Sequence, residues 1–303
     1  MTAIVPRTRI DRALLGIGLI LLAYGLFSTL DASVKWLVIY GYPALQLGFM
    51  RYIGHFVIST GQVLYANQLG QVLRPRHALL VVLRGALVLA ATVANFIALK
   101  YIPLTLTSTI FFSVPIIVCL LSGIMLGETV GKLRWLAILL GFCGILIAIR
   151  PFNADFHWAA LLAFAGTICF AFFLILTRRF AGVVSSKTLQ FYAGLVGTLG
   201  MLPFAIYFWQ WPDTAAQWAL MCGLGVIAWS GHEILIRAYH YADASMLTPF
   251  SYSYMIYLTI WSIVLFDQYP DAWTLSGATL IVSSGLLIWF RERVRQRGVA
   301  AVH

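Results

Sequence analysis

Apolar residues run through this chain in blocks separated by short polar turns. A bilayer core takes about 20 apolar residues per helix, and by that rule the pattern predicts about ten helices. They cover 12–39, 43–67, 76–100, 103–126, 132–150, 157–181, 186–209, 214–240, 244–266 and 271–291. Pro43, Pro75, Pro103 and Pro270 stand at helix starts, where a missing N–H costs little. The connections are short enough to make consecutive helices antiparallel neighbours.

The stretch from Tyr101 to Pro151 organises the rest. It holds a hydroxyl-rich apolar helix with an internal Pro115, a turn at Gly127-Glu128-Thr129, and a glycine-containing apolar helix closed by Arg150-Pro151. A looser copy begins about 140 residues later, so that Tyr101 matches Tyr241, Leu126 matches Phe266, Gly144 matches Gly285 and Arg150 matches Arg291. The expected organisation is two five-helix repeats, 1–150 and 151–303, the second carrying a basic tail. Five helices per half is an odd number, so the second half is inverted relative to the first. The fold class expected is an all-α integral membrane protein: ten transmembrane helices as two inverted five-helix repeats. Two such halves supply two nearly equivalent packings, one open to each side, as alternating access requires.

Composition agrees. The chain has 303 residues, 61% hydrophobic and 10% charged, with a mean hydropathy of +0.91. Soluble domains carry about 25% charged residues, and no polar stretch here is long enough to build one. The formal net charge of +10 reads as topology and lipid contact rather than nucleic-acid binding. Most of the basic residues, including Arg7, Arg9, Arg12, Arg74, Arg76, Lys132, Arg134, Arg178, Arg179, Lys187 and the run Arg291 to Arg297, fall on one side. Lys35, Arg51, Lys100 and Arg150 lie towards the other. Both termini are expected in the cytoplasm. The first apolar run has no small-residue cleavage site after it and reads as a spanning helix. Cys119, Cys143, Cys169 and Cys222 lie in apolar runs with no CxxC and read as small core residues.

At this point a family likeness is visible. Ala98-Leu99, Tyr101, Pro103, the hydroxyl run, Pro115, Leu126-Gly127-Glu128, Gly141 and Gly144 resemble the EamA-type repeat of the drug/metabolite transporter superfamily. Tyr24-Gly25, and Pro43 followed by Arg51, are similar to that family too. The second half departs from it with Asp267-Gln268 where the family often repeats Gly-Glu. The resemblance implies a bacterial inner-membrane carrier of metabolites with a central cavity lined by the first, third, fourth, sixth, eighth and ninth helices.

Ionisable groups inside a membrane are expensive and stand out as candidates. Asp31 and Lys35, four apart on the first helix, read either as an ion pair near the interface or as a cavity-facing carboxylate for an ammonium or a proton. Arg51 with His55 reads as a tie between helix ends, and Arg84 as a side chain reaching back to the cytoplasmic surface. Glu233 and Arg237 are spaced to pair; His232 is either a substrate or proton contact or an interhelical donor. Phe250, Tyr254, Tyr257 and Trp261 form an aromatic stripe on the ninth helix, either core packing or a surface for a ring.

The candidate substrate contacts are therefore Tyr24, Phe27, Asp31, Asn95, Phe112, Trp229, His232, Tyr254 and Tyr257, with Pro115 and Pro249 as hinges. No metal-ligand spacing, ATP motif or nucleophile-base pair occurs, so no cofactor and no enzymatic activity are expected. The expected function is secondary transport: export of amino acids, aromatic or hydrophobic ones first, or of similar amphiphilic metabolites. The rivals are efflux of cationic drugs through Asp31 or Glu233, and metabolite uptake. The expected partners are a small-molecule substrate and membrane lipid.

Overall fold

A computed structural model of the chain describes residues 7–125, 132–151, 156–180, 183–241 and 247–300. The Gly127-Glu128-Thr129 turn lies outside them. Among the described residues the chain is helical, without strands. Helices α1 (Arg7–Ile39), α2 (Ala44–Tyr65) and a single turn α3 (Leu69–Val72) are followed by α4 (Ala78–Tyr101). Next come α5 (Leu104–Phe111), α6 (Val114–Met125), α7 (Lys132–Ile149), α8 (Ala159–Arg179), α9 (Ser186–Phe208) and α10 (Ala215–Tyr241). A 3₁₀ turn, Thr248–Tyr252, runs directly into α11 (Ser253–Phe266), and α12 (Ala272–Ala300) closes the chain. Among the described residues, five helical segments are long and apolar enough to cross a membrane: Leu14–Ile39, Ala78–Tyr101, Ala159–Thr177, Ser186–Phe208 and Ala215–Ala238. Leu104–Val118, Trp135–Ile149, Phe250–Phe266 and Ala272–Leu287 are shorter apolar helices.

The fourth and ninth predicted helices are each interrupted. Pro103 caps α5, and hydroxyls within it and just after it bond back to the preceding turn: Ser108 and Thr109 donate to the Thr105 carbonyl, and Ser113 donates to the Ile110 carbonyl. Such back-bonding competes with the helix ladder. The helix breaks at Phe112-Ser113 and restarts with Pro115 in its first turn, a position that needs no N–H partner. In the ninth segment the interruption is the 3₁₀ turn, with Pro249 at its start. Asp267 ends α11 at φ 49°, the left-handed region that Asp tolerates and that closes a helix C-terminus.

Packing is pairwise. α1 lies along α10, α4 along α8, α2 along α9 and α7 along α12; α1 also packs on α11, α6 on α8, and α5 on α11. Close approach between α7 and α12 needs glycine. A Cβ on Gly144 would stand 2.8 Å from the Gly277 carbonyl oxygen, and one on Gly277 would stand 2.6 Å from that of Gly144. Rings gather at the end formed by the C-termini of α1, α4 and α9. Trp36 stacks on Tyr40 at 5.3 Å, Tyr101 on His157 at 5.1 Å, and Trp209 meets Trp211 at 5.6 Å. Aromatic side chains with one polar edge favour that level of a bilayer.

Two expectations from the sequence are corrected. Arg84 does not reach back to a surface. It is 92% buried, donates to Thr177 Oγ1 at 2.7 Å and to the Leu189 carbonyl at 3.1 Å, and lies over the Phe173 ring. Its donors are satisfied by α8 and α9, so it has no need of the interface. Among the cysteines, Cys143 and Cys222 are exposed on the outer faces of their helices rather than in the core, and Cys169 is half-buried.

Candidate functional site

The site builds outward from Asp31. Asp31 is 7% exposed, eight residues before the end of α1, and faces α4 and α11 rather than its own helix neighbour Lys35. Its Oδ2 accepts a hydrogen bond from the Tyr254 hydroxyl of α11 and one from Asn95 Nδ2 of α4, the latter at 3.2 Å. Lys35 sends its ammonium to the Ile102 carbonyl at 2.8 Å and lies over the Phe266 ring. The reading of Asp31 and Lys35 as an ion pair is therefore replaced: each has its own partners, and the carboxylate points inward. A buried carboxylate needs such donors, because an unpaired one is costly in a low-dielectric interior.

Rings surround the carboxylate. Tyr254 meets Tyr24 at 6.0 Å, Phe111 at 5.8 Å and Phe112 at 6.2 Å. Tyr24 meets Phe27 at 6.2 Å, and Phe27 meets His232 at 5.0 Å. His232 in turn faces His55 at 6.1 Å. Seven of the expected contacts, Tyr24, Phe27, Asp31, Asn95, Phe112, His232 and Tyr254, thus form one connected group drawn from five helical segments. Trp229 lies one turn from His232 on α10, and its buried Nε1 has no partner among the described residues. Tyr257 stands one turn beyond Tyr254 and packs against α1, its ring 3.8 Å from where a Cβ on Gly25 would be.

The aromatic stripe as a whole is a seam between α11 and α1. Phe250 packs with Ile20. Trp261 lines a crevice of about 220 Å³ with Thr29, Ser33 and Trp36 of α1, Leu220 of α10 and Leu265. The hydroxyls there bond within α1 itself, Thr29 to the Gly25 carbonyl and Ser33 to the Thr29 carbonyl. The crevice is on the face of α1 away from Asp31, so only Tyr254 carries the stripe into the polar cluster. Glu233 pairs with Arg237 at 3.0 Å, as its spacing suggested, and is thereby occupied.

Sequence reasoning set Arg51 aside as a tie between helix ends. The structure turns it inward: its Nη1 donates to Thr92 Oγ1 of α4, and its guanidinium lies 5.2 Å from the Tyr52 ring centroid and 5.7 Å from that of Phe96. Tyr52 is hydrogen-bonded to Thr92 at 2.8 Å. Phe111 and Tyr252 were also missed; Tyr252 meets Phe112 at 5.0 Å. The signal was there for Arg51: with Tyr52 and His55 it makes a polar face on α2 one turn long, and that face is too polar to meet lipid.

A family model, the EamA-like transporter family, matches residues 14–150 and again 157–290. The chain belongs to that family. EamA-like proteins fall within the drug/metabolite transporter superfamily, and the relatives carry transporter names rather than enzyme names. The S-adenosylmethionine uptake transporter of Rickettsia bellii is 26% identical over 92% of this chain and 94% of its own. The riboflavin transporter of Vibrio cholerae is 30% identical over 67% of this chain and 70% of its own. The pseudopaline exporter of Pseudomonas aeruginosa is 26% identical over 88% and 93%. One protein of known crystal structure superposes with a TM-score of 0.62 over 91% of this chain and 96% of its own, at 20% identity, a likeness of fold. As an EamA-like protein the chain is a multi-pass membrane transporter.

Proposed function

We propose that this EamA-like chain is a secondary carrier of the bacterial inner membrane for amphiphilic metabolites that carry a cationic centre beside an apolar or aromatic body, aromatic amino acids among them. The observation that carries the reading is the Asp31 carboxylate, held at the meeting of α1, α4 and α11 inside a collar of rings. A carboxylate draws an ammonium or sulfonium, and ring faces attract cations and coat flat apolar groups. The relatives named for S-adenosylmethionine, riboflavin and pseudopaline are carriers of small polar organic molecules, and the names include both uptake and export. That range supports uptake as well as the expected export, and the reading we adopt is a carrier working in either direction, its net flux set by the solute gradient.

The mechanism proposed is alternating access between halves 1–150 and 151–303, arranged as inverted five-helix repeats with both termini cytoplasmic. Several features support it. Exchanging each helix for its counterpart in the other half turns α1 on α10 into α8 on α4, and α1 on α11 into α8 on the α5–α6 segment. All four contacts occur. A Cβ on Gly54 would stand 2.9 Å from the Gly225 Cα. Their counterparts 140 positions away, Gly194 and Gly85, lie on α9 and α4, which also pack together. Phe112 and Tyr252, another pair 140 apart, touch each other, as residues beside a two-fold axis do. The interruptions at Pro115 and Pro249 lie in matched helices; these are the proposed hinges, where freed backbone groups permit bending.

The test is flux in proteoliposomes holding this protein alone, loaded with labelled phenylalanine and challenged with other amino acids and with a quaternary cation. Saturable phenylalanine flux above empty vesicles, lost in Asp31→Asn, is the expected result. Flux that Asp31→Asn leaves intact would remove the carboxylate from the reading.

A further inference from the structure

Arg51 is the one charged group of the central cluster whose role nothing so far explains. A guanidinium has five N–H donors. Among the described residues it makes one hydrogen bond, to the neutral Thr92, and it meets no carboxylate within ion-pair distance. The Tyr52 and Phe96 rings flank it without taking up those donors. A cation at membrane depth costs several kcal/mol unless acceptors, anionic or neutral, take up its donors. Arg84 has two such acceptors, whereas Arg51 has Thr92 alone among the described residues.

Its position relative to Asp31 says what that anion belongs to. Thr92, which holds Arg51, and Asn95, which holds Asp31, are three apart on α4, so they stand on one face about 5 Å from each other. The carboxylate and the guanidinium therefore flank a single turn of α4, one arriving from α1 and the other from α2. No ion pair joins them: each is bonded to its own α4 side chain instead of to the other.

We infer that Arg51 is the anion subsite of this carrier, so that Asp31 and Arg51 together select α-amino acids and other compact zwitterions. This rests on the proposed function and specifies its substrate. The ammonium and carboxylate of an α-amino acid hang on one carbon, a separation that one turn of α4 spans once each pole has made its hydrogen bond. A planar guanidinium takes a carboxylate through two parallel N–H bonds, which fixes the solute's orientation. The side chain then points into the rings of Tyr24, Phe27, Phe111 and Tyr254. Solutes with a cation and a ring but no carboxylate would close the half-buried guanidinium of Arg51 off from water without giving it a partner, and are rejected for that cost.

The experiment compares initial flux of labelled phenylalanine with that of labelled benzyltrimethylammonium, which keeps the ring and cation and lacks the carboxylate. In the unaltered chain phenylalanine should be carried at least tenfold faster at equal concentration. Arg51→Gln should lower the phenylalanine-to-cation ratio at least tenfold, and Arg51→Lys should restore part of it. Equal carriage of both solutes by the unaltered chain overturns the inference while leaving the Asp31 reading in place. A parallel fall of both fluxes in Arg51→Gln, with an unchanged melting temperature, also overturns it, since that marks a positioning role. Carriage of neither solute overturns both readings. Because the two solutes are first compared in the unaltered chain, the inference stays open to refutation even if a variant fails to fold.

Discussion

The polar cluster at Asp31 and the region 140 positions from it fall on helices that the proposed repeat matches, yet their side chains differ in kind. Asp31, Asn95 and Tyr254 correspond to Ala171, Leu235 and Val114; Arg51 corresponds to Phe191, and His55 to Leu195. Ala171, Val114 and Phe191 are buried, as Asp31 and Tyr254 are. On the proposed repeat the backbone plan is shared while the polar side chains are not. Under the inverted-repeat proposal this is informative: each half must supply the same hinge and the same packing, but a single solute needs a single binding set. On that proposal the backbone repeats because both access states use it, and the site is asymmetric because the solute is.

The largest effect that would break this comparison is at Asp31. Asp31→Asn keeps the shape and removes the charge, and leaving a buried cationic solute unpaired costs about 3–5 kcal/mol. Phenylalanine flux should therefore fall about a hundredfold or more in vesicles. Ala171→Ser, at the matched position, should leave the rate within about twofold, because it adds no charge and sits outside the polar cluster. A comparable loss at both positions would mean that the two regions share one role.

The second effect concerns what the halves do share, close packing. Gly144 and Gly277 put the backbones of α7 and α12 in contact, so that an added Cβ collides with a carbonyl oxygen on the other helix. Gly277→Val should lower the melting temperature in detergent by several degrees, corresponding to the roughly 1–3 kcal/mol of an overpacked contact. Gly61, whose added Cβ would meet nothing within 4 Å, is the control. Gly61→Ala should be neutral or slightly stabilising through helix propensity.

A third, smaller effect separates charge from the hydrogen bond that orients it. Tyr254→Phe removes the hydroxyl that donates to Asp31 and keeps the ring contacts with Tyr24, Phe111 and Phe112. A hydrogen bond to a charged acceptor is worth about 1.5–3 kcal/mol. The apparent affinity for phenylalanine should weaken about tenfold or somewhat more, with the protein still folded. Val114→Ile at the matched position should leave that affinity unchanged, whatever its added methylene does to packing.

How far the sequence reveals this depends on what each feature requires. The helices were legible because blocks of apolar residues and boundary prolines are local properties: Pro43 and Pro103 cap α2 and α5 as expected. The breaks at Phe112 and at the 3₁₀ turn were signalled by Pro115 and Pro249. The collar of rings was legible in membership, since Tyr24, Phe27, Phe112 and Tyr254 were all candidates, though not in arrangement. Direction was the hidden quantity. Spacing places Arg51 and His55 on one face of α2, but which helix that face meets is decided by α4 and α10, far away in the chain. The same holds for Arg84, whose partners Thr177 and Leu189 are more than ninety residues distant. Likewise four-residue spacing allowed Asp31 to pair with Lys35, and tertiary donors from α4 and α11 prevailed over that local partner.

The smallest effect tests the end of the molecule where the two halves are tied by charge. Arg150, in the left-handed region at φ 49°, reaches Asp271 at 2.6 Å, joining the C-terminus of α7 to the start of α12. Partial burial works to raise the Asp271 carboxyl, but hydrogen bonds from the Thr274 hydroxyl and backbone N–H and the Arg150 guanidinium prevail and hold it below the usual carboxylate value. A depressed value means that this contribution is present above the unfolded carboxylate's pKa of about 3.9 and is lost as pH falls through the lower folded value. The melting temperature should therefore be insensitive to this pair between pH 5 and 8. Below about pH 4 it should drop, and Asp271→Asn should flatten that part of the acid limb. With Asp271 42% exposed in its side chain, solvent screening keeps the pair below about 1 kcal/mol. The shift is best read as the difference in melting temperature between the unaltered chain and Asp271→Asn at pH 3.5 and pH 7. An equal difference at both values would mean that Asp271 acts through its cap on α12 and not through its charge.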